Sequence, residues 1–492
     1  MRSAMGQSAS LDDRPQERPA GASSRYRHGR DHSGTRNRGA CQLFATSSRD
    51  RVGTFLSGMS NGATFGACGR YVFTCLCHSS EGPFVCPGSS ARNGRRVRRQ
   101  AWSVGRYTEG RRVVGCVPAD ATGPGRRFGT DSTTKERAMR HDDEDKAARA
   151  IPEQAVIAHR GASRDAPEAT RAAYLLARDL GADYLEADLQ RTRDGHLIVL
   201  HDTTLERTTD IETVFPERVA DPVSTFSLAE IKQLDAGSWF NKAHPSRARP
   251  GYAGLQILTL DELREIAESG THQPGLYLET KAPELFPGIE AELADYLRRH
   301  GWIGDDARRA PTDFDREAHV AVGYSAGRVV LQTFARDSLA QLAERMPDTP
   351  KILLLGLGGK QGIAADESIV QRADEPDAVF RARCTVASSE AYDAFLDYAV
   401  ARGAIGVGAS TVRTDLDSVY SYADLARPWM IAHVHRRGLH LHVYTLDHAT
   451  DFQRYIERGV DGVFTNDPLA LCQFVDRSPA ETIETILARH GH

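Results

Sequence analysis

From Ala155 onward the chain alternates short apolar runs with segments that repeat apolar positions at helical spacing. Eight runs read as strands: 155–159, 183–188, 276–281, 329–334, 352–355, 404–407, 439–445 and 462–465. Helical spacing falls between them at 169–180, 260–268, 288–299, 338–345, 390–401, 422–437 and 449–457. Strand and helix in regular alternation predict parallel βα units. Eight such strands predict an α/β fold, a TIM-type (β/α)8 barrel, with an open doubly wound sheet as the competing architecture.

One extended segment, 196–201, breaks the alternation. Too few residues separate it from Asp188 for a helical crossover, so it must return antiparallel. With Asp194-Gly195 as a two-residue turn, His201 is predicted opposite Asp188. Residues 210–256, with Asp235-Ala236-Gly237-Ser238-Trp239-Phe240, show no sustained period and predict a loop-rich insertion over the barrel mouth. A second irregular stretch, 357–388, opens with Gly358-Gly359-Lys360-Gln361-Gly362, which lacks P-loop spacing and predicts no nucleotide site.

The overall charge of −4 conceals a split. Residues 1–138 hold 23 Lys and Arg against 10 Asp and Glu, a net of +13, while 139–492 carries −17. This basic leader has 19 glycines and no useful apolar period, so nothing in it can bury enough surface to offset chain entropy. Its run Arg92-Asn93-Gly94-Arg95-Arg96-Val97-Arg98-Arg99 could contact nucleic acid or an anionic membrane. Abundant Arg beside a single Lys, followed by Met139, points instead to a leader that is disordered or translated ahead of the natural start, and no nucleic-acid partner is expected. The implied organisation is a leader over 1–138, an acidic linker over 139–153, the barrel over 154–476 with its insertion at 210–256, and a C-terminal helix within 477–492.

Six of the eight cysteines lie in the leader, and Cys75-Leu76-Cys77 followed by Cys86 lacks the usual Cys-x-x-Cys spacing, so neither zinc nor a disulfide framework is expected. No run of 18 apolar residues occurs, so no membrane-spanning helix is expected. Without a recognisable secretion signal the sequence reads as cytoplasmic.

Candidate chemistry collects at four strand ends: His159-Arg160-Gly161, Glu186-Ala187-Asp188, Glu279-Thr280-Lys281 and His201-Asp202. Active sites of TIM-type barrels form at the carboxyl ends of their strands. Glu186 and Asp188, two apart on a strand, share a face that Glu279 can join. Three neighbouring carboxylates repel unless neutralised, either by Arg160 and Lys281 alone or by a hard divalent cation, Mg²⁺ or Ca²⁺. His159 and His201 supply an acceptor and a donor of protons near neutral pH, as an ester hydrolysis needs, and Arg160 and Lys281 supply positive charge for a phosphoryl oxygen.

These residues sit in motifs that resemble the glycerophosphodiester phosphodiesterases. The match runs through Ile157-Ala158-His159-Arg160-Gly161-Ala162-Ser163, Pro167-Glu168, Tyr184-Leu185-Glu186-Ala187-Asp188, His201-Asp202 and Arg207-Thr208-Thr209. It continues in order through Glu279-Thr280-Lys281, Leu331-Gln332-Thr333-Phe334, Val443-Tyr444-Thr445-Leu446-Asp447 and Gly462-Val463-Phe464-Thr465-Asn466-Asp467-Pro468. The resemblance implies a barrel, one divalent cation (Ca²⁺ or Mg²⁺) on Glu186, Asp188 and Glu279, and acid/base work by His159 and His201. It further implies phosphate contacts from Arg160 and Lys281, with Glu168 and Gln332 supporting the site.

Two positions depart from the pattern: Ala169 stands where many members have Asn, and Asn466 where an acidic residue is common. The implied reaction cleaves glycerophosphodiesters to sn-glycerol 3-phosphate and an alcohol. A lysophospholipase D or sphingomyelinase D type activity on the same scaffold is the alternative, and would need an apolar groove. Binding of nucleic acid or membrane through the leader is the alternative outside catalysis. Resemblance to the bacterial periplasmic enzymes also leaves a periplasmic or secreted location open.

Overall fold

The computed structural model describes residues 150–304, 307–315, 319–414 and 422–492; the leader and residues 139–149 of the linker lie outside the described residues. In chain order the strands are β1 Ala155–Ala158, β2 Tyr184–Arg191, β3 Leu197–Val199, β4 Gly275–Thr280, β5 Val329–Thr333, β6 Lys351–Leu354, β7 Gly406–Ser410, β8 His440–Tyr444 and β9 Gly462–Thr465. They form one sheet ordered β1-β9-β8-β7-β6-β5-β4-β2-β3. Every pairing among them is parallel except β2 with β3, and the β1–β2 pairing closes the ring of eight. The TIM-type barrel expected from the alternation is therefore the fold.

Side-chain alternation divides each strand between two cores. Ile157, Tyr184, Tyr277, Val330, Ile352 and Phe464 fill the barrel interior. The opposite faces pack under the surrounding helices, where Arg171–Asp179 buries Ala172 through Arg178 and Leu260–Glu268 buries Leu260, Leu263, Ile266 and Ala267. Thr259 and Glu262 cap the latter helix reciprocally, which fixes its start. Glycine in β7 is a matter of space: a Cβ on Gly408 would stand 2.5 Å from Leu354 Cδ2. The helix expected over 422–437 is shorter, Pro428–His435, because proline favours the first helical position. Cys384 and Cys472 are free, and no helix among the described residues is long and apolar enough to cross a membrane.

The hairpin register differs from the expected one by a single residue. Leu189 faces Val199, Gln190 faces Ile198 and Arg191 faces Leu197, so Asp188 lies opposite Leu200, whose N–H donates to Asp188 O at 2.9 Å. Three residues turn the chain, not two: Thr192 and His196 close the loop at 3.0 Å, Thr192 Oγ1 donates to Asp194 at 2.7 Å, and Gly195 takes φ +87°. A three-residue loop ending in a left-handed glycine is the next commonest hairpin connection. His201 still reaches the mouth, because the Gln190 amide donates to Leu200 O and Asp202 O, both at 2.7 Å, and holds the chain beyond β3.

The insertion is more ordered than its sequence suggests. Short helices Ile211–Val214 and Leu228–Ile231 enclose a small core of Leu205, Ile211, Val223, Phe226, Ile231 and Leu234 that also takes in Ile198 and Leu200 of the hairpin, whereas helix Ser238–Ala243 buries Phe240 in the main core. In the 357–388 stretch, isolated bridges pair Leu357 with Ile363 and Ala365 with Val386, and Asp377–Arg383 is helical. Helices Pro468–Phe474 and Ile483–Arg489 end the chain, the latter burying Ile486 and Leu487.

Candidate active site

All nine residues named from the sequence, His159, Arg160, Glu168, Glu186, Asp188, His201, Glu279, Lys281 and Gln332, line one cavity of about 830 Å³ at the carboxyl ends of the strands. A tight turn after β1 delivers the first two. Arg160 (φ +57°) and Gly161 (φ +85°) both adopt left-handed backbone, and Gly161 packs so close to Ala173 that a Cβ would stand 2.7 Å from its carbonyl carbon. Arg160 N donates to Glu186 Oε2 at 2.9 Å, while Ala169 N returns to Arg160 O at 3.0 Å.

Glu186, Asp188 and Glu279 offer carboxylate oxygens within 4.8 Å of one another, and all three side chains are buried. Lys281 Nζ stands 3.2 Å from both Asp188 and Glu279, and Arg160 Nε is 3.4 Å from Asp188. These two cations do not balance the cluster. Arg160 is also held by Glu168 at 2.9 Å, and Lys281 is shared between two acids. Burial, then the charge of Asp188, pushes the Glu186 carboxyl well above its ordinary range. Burial likewise raises Glu279 to about 7, although Lys281 opposes it. Asp188 stays well below the usual range: burial is outweighed there by Lys281, His201 and Arg160.

Three buried carboxylates this close together form an all-oxygen donor set that a divalent ion would fit. Gln332 adds to the fit. Its amide donates to Glu186 Oε1 at 3.1 Å, and its buried Oε1 has no protein partner among the described residues.

The two imidazoles face the cavity with different partners. His159 Nδ1 lies 2.8 Å from Asn466 Oδ1, an uncharged acceptor, and burial together with Arg160 lowers the ring's pKa to about 3. His201 Nδ1 lies 2.6 Å from the carboxylate of Asp202. Asp202 is itself held well below the usual carboxylate range, since hydrogen bonds from His201 and Arg207 outweigh its burial.

Some contributors escaped the sequence reading. Arg207 donates to Glu168 at 2.7 and 2.8 Å and to Asp202 at 2.6 and 3.0 Å, so it ties the two sides of the mouth together. Asp447 and Ser163 hydrogen-bond Asn466, and Arg413 donates to Asp447. The placing of Ser163, Arg207 and Asp447 within the quoted motifs hinted at those three, and nothing in the sequence pointed to Arg413. Among the insertion's aromatic residues Trp239 reaches the cavity, whereas Phe240 and Tyr252 are fully buried and line no groove. The apolar part of the wall comes from Phe334, Leu354, Leu355 and Leu357.

Residues 159–470 match the Glycerophosphoryl diester phosphodiesterase family. The chain belongs to that family. All the residues of the mouth described above fall within the match. A glycerophosphodiester phosphodiesterase of Bacillus subtilis is 33% identical over 312 residues, which cover 63% of this chain and 83% of the relative. A second, from Caldanaerobacter subterraneus subsp. tengcongensis, is 29% identical over 321 residues, covering 65% and 97%. Among solved structures, a phosphodiesterase of Oleispira antarctica in complex with the product sn-glycerol-3-phosphate is 21% identical, covers 66% of this chain and 97% of its own, and superposes with a TM-score of 0.45. As a member of the phosphodiesterase family the protein is an enzyme of the phosphoric diester hydrolase class.

Proposed function

We propose that this phosphodiesterase hydrolyses glycerophosphodiesters to sn-glycerol 3-phosphate and an alcohol, with His159 accepting and His201 donating the proton, and with Ca²⁺ or Mg²⁺ held by Glu186, Asp188 and Glu279. One observation carries the assignment of roles: around a single cavity, His159 is paired with a neutral amide and His201 with a carboxylate. A neutral partner suits a ring that must start without charge. A carboxylate suits a ring that starts with it.

In the first step the glycerol hydroxyl next to the ester attacks phosphorus while His159 takes its proton. The bond from phosphorus to the alcohol oxygen breaks, and His201 protonates the departing alcohol. Water then opens the resulting cyclic phosphate with the roles reversed: His201, now neutral, takes a proton from water, and His159 returns one to the ring oxygen that leaves. Arg160 and Lys281, both at the acidic cluster, place positive charge where the phosphoryl oxygens gain negative charge. Glu168 holds Arg160 and Gln332 holds Glu186, which keeps both aimed. When bound, the cation supplies Lewis acidity that polarises the phosphoryl oxygen and lowers the pKa of the attacking hydroxyl.

The apolar stretch of wall, Phe334, Leu354, Leu355 and Leu357, favours a second substrate class, lysophospholipids cleaved on the same side of phosphorus. A reading through the basic leader falls outside the described residues.

A coupled glycerol 3-phosphate assay tests the proposal directly. The full chain, treated with EDTA and then given Ca²⁺ or Mg²⁺, is expected to act on glycerophosphocholine and glycerophosphoethanolamine only after the metal is restored. Release of no glycerol 3-phosphate from any glycerophosphodiester under either metal would overturn it. Cleavage of lysophosphatidylcholine in preference to glycerophosphocholine would move the assignment to the second class.

A further inference from the structure

We infer that Asp447 and Asn466 are positioning residues which lock the tautomer of His159 with hydrogen on Nδ1, leaving the Nε2 lone pair as the proton acceptor. The inference rests on the proposed role of His159 and extends it to two residues that touch no reacting atom.

The geometry leaves little freedom. A primary amide can in principle be turned either way, so what matters is what holds that of Asn466. Its Nδ2 lies 2.9 Å from Asp447 Oδ2, and its backbone N–H donates to Asp447 Oδ1 at 2.7 Å. An ionised carboxylate only accepts, and this one pairs with Arg413 at 2.9 Å. Turning the amide over would set two oxygens face to face, so Nδ2 must point to Asp447 and Oδ1 to His159. Ser163 Oγ stands 2.9 Å from the same Oδ1, in place to donate to it.

Oδ1 can only accept. The atom opposite it at 2.8 Å, His159 Nδ1, therefore carries the hydrogen, and in a neutral ring Nε2 cannot. Backbone bonds keep the two side chains in register: His159 N donates to Thr465 O and Arg164 N to Asn466 O, each at 2.9 Å. The result is a chain of fixed direction from Asp447 through Asn466 to the imidazole, built on the neighbouring ends of β8, β9 and β1. The amide at 466 also follows from Asp447: a second carboxylate in its place would face the first across a hydrogen-bond distance and repel it.

The test reads the tautomer itself. Long-range ¹H–¹⁵N spectra of the full chain labelled with ¹⁵N-histidine, with the His159 signals identified by their loss in His159→Gln, are expected to show Nδ1–H. Asp447→Ala frees the amide to turn and is expected to populate Nε2–H, with turnover falling about 10- to 100-fold and KM within about twofold, part of the usual worth of a positioned base. Adding Asn466→Asp to that variant presents an oxygen whichever way the group turns, and is expected to restore the Nδ1–H signal of the neutral ring, with turnover recovering only toward higher pH because the carboxylate also favours the charged ring. Asn466→Leu, which removes the acceptor without the charge change at 447, is expected to lose both. Retention of pure Nδ1–H in Asp447→Ala and Asn466→Leu would overturn the inference. A switch to Nε2–H at unchanged turnover would instead overturn the role of His159 as base, while the control of its tautomer would stand.

Discussion

Arg207 grips Glu168 through two hydrogen bonds of 2.7 and 2.8 Å, and the same guanidinium holds Asp202. Because Glu168 also anchors Arg160 and Asp202 also anchors His201, this one ion pair links the phosphate-facing side of the mouth to the hairpin side. Glu168 is mostly buried, and although burial alone would raise its carboxyl, Arg160 and Arg207 lower it from 4.5 to about 2. A depressed carboxyl contributes stability that is fully present above its unfolded value and is lost as pH falls through the folded one. Glu168→Gln is therefore expected to be less stable at neutral pH by on the order of 2 to 3 kcal/mol, with the gap closing between about pH 4.5 and 2. Denaturant melts of both proteins across that range check it. A gap that does not change with pH would show that the charge of Glu168 contributes nothing.

The acidic cluster makes a separate prediction. Glu186→Gln or Asp188→Asn removes one of the three carboxylates proposed to hold the cation, and each is expected to abolish turnover and the rise in melting temperature expected of the parent protein on adding Ca²⁺ or Mg²⁺, since a ligand stabilises only a state that holds its site. If both variants melted with an undiminished metal response, the cluster would not be the metal site.

For the histidines the expected loss is about 10²- to 10⁴-fold in turnover for His159→Ala and for His201→Ala, the usual effect of a positioned acid or base, with melting little changed. The signs of the two limbs follow from the roles. An acceptor must be neutral, so loss of His159 removes the acid limb of the rate profile; a donor must be protonated, so loss of His201 removes the alkaline limb. Near-normal turnover by His201→Ala on glycerophosphocholine would assign the donor elsewhere.

Ala169 offers a stability test away from the chemistry. It is buried in left-handed backbone at φ +58°, a conformation that disfavours any residue with a Cβ. Ala169→Gly is expected to stabilise the fold by about 0.5 to 1 kcal/mol, after the greater unfolded-state freedom of glycine is offset. A lower melting temperature would mean that the methyl group's packing outweighs the backbone strain.

The barrel could be read from sequence because each parallel strand is buried on both faces and leaves a short apolar run, as in Ile352, Leu353 and Leu354. Strand-end charges stood out against those runs, which is why His159, Arg160, Glu186, Asp188, His201, Glu279 and Lys281 could be named from pattern, whereas Glu168 and Gln332 came only from the family resemblance. Turn length could not be read: whether Asp194-Gly195 closes a two- or three-residue loop depends on the hydrogen bond between Thr192 and Asp194, and a slip of one residue costs no apolar match in so short a strand. The insertion's core was hidden because Leu205, Ile211, Val223 and Phe226 follow no single period. Asn466 and Asp447 matter through contacts with His159 and with each other that span 307 and 19 positions of chain, and a linear pattern carries no sign of those.

That small core beneath the insertion has a consequence for how the enzyme can change. Ile198 and Leu200 are buried in it, and His201 follows directly after Leu200. His159 is fixed by the barrel, whereas His201 is seated by a separate apolar cluster outside the ring of strands. Phe226 and Ile231 can therefore be altered, and one imidazole loosened relative to the other, without removing a side chain from the packing of the barrel interior. With His201 as the proposed proton donor, catalytic rate can drift, or be selected, through residues that neither touch substrate nor pack inside the barrel.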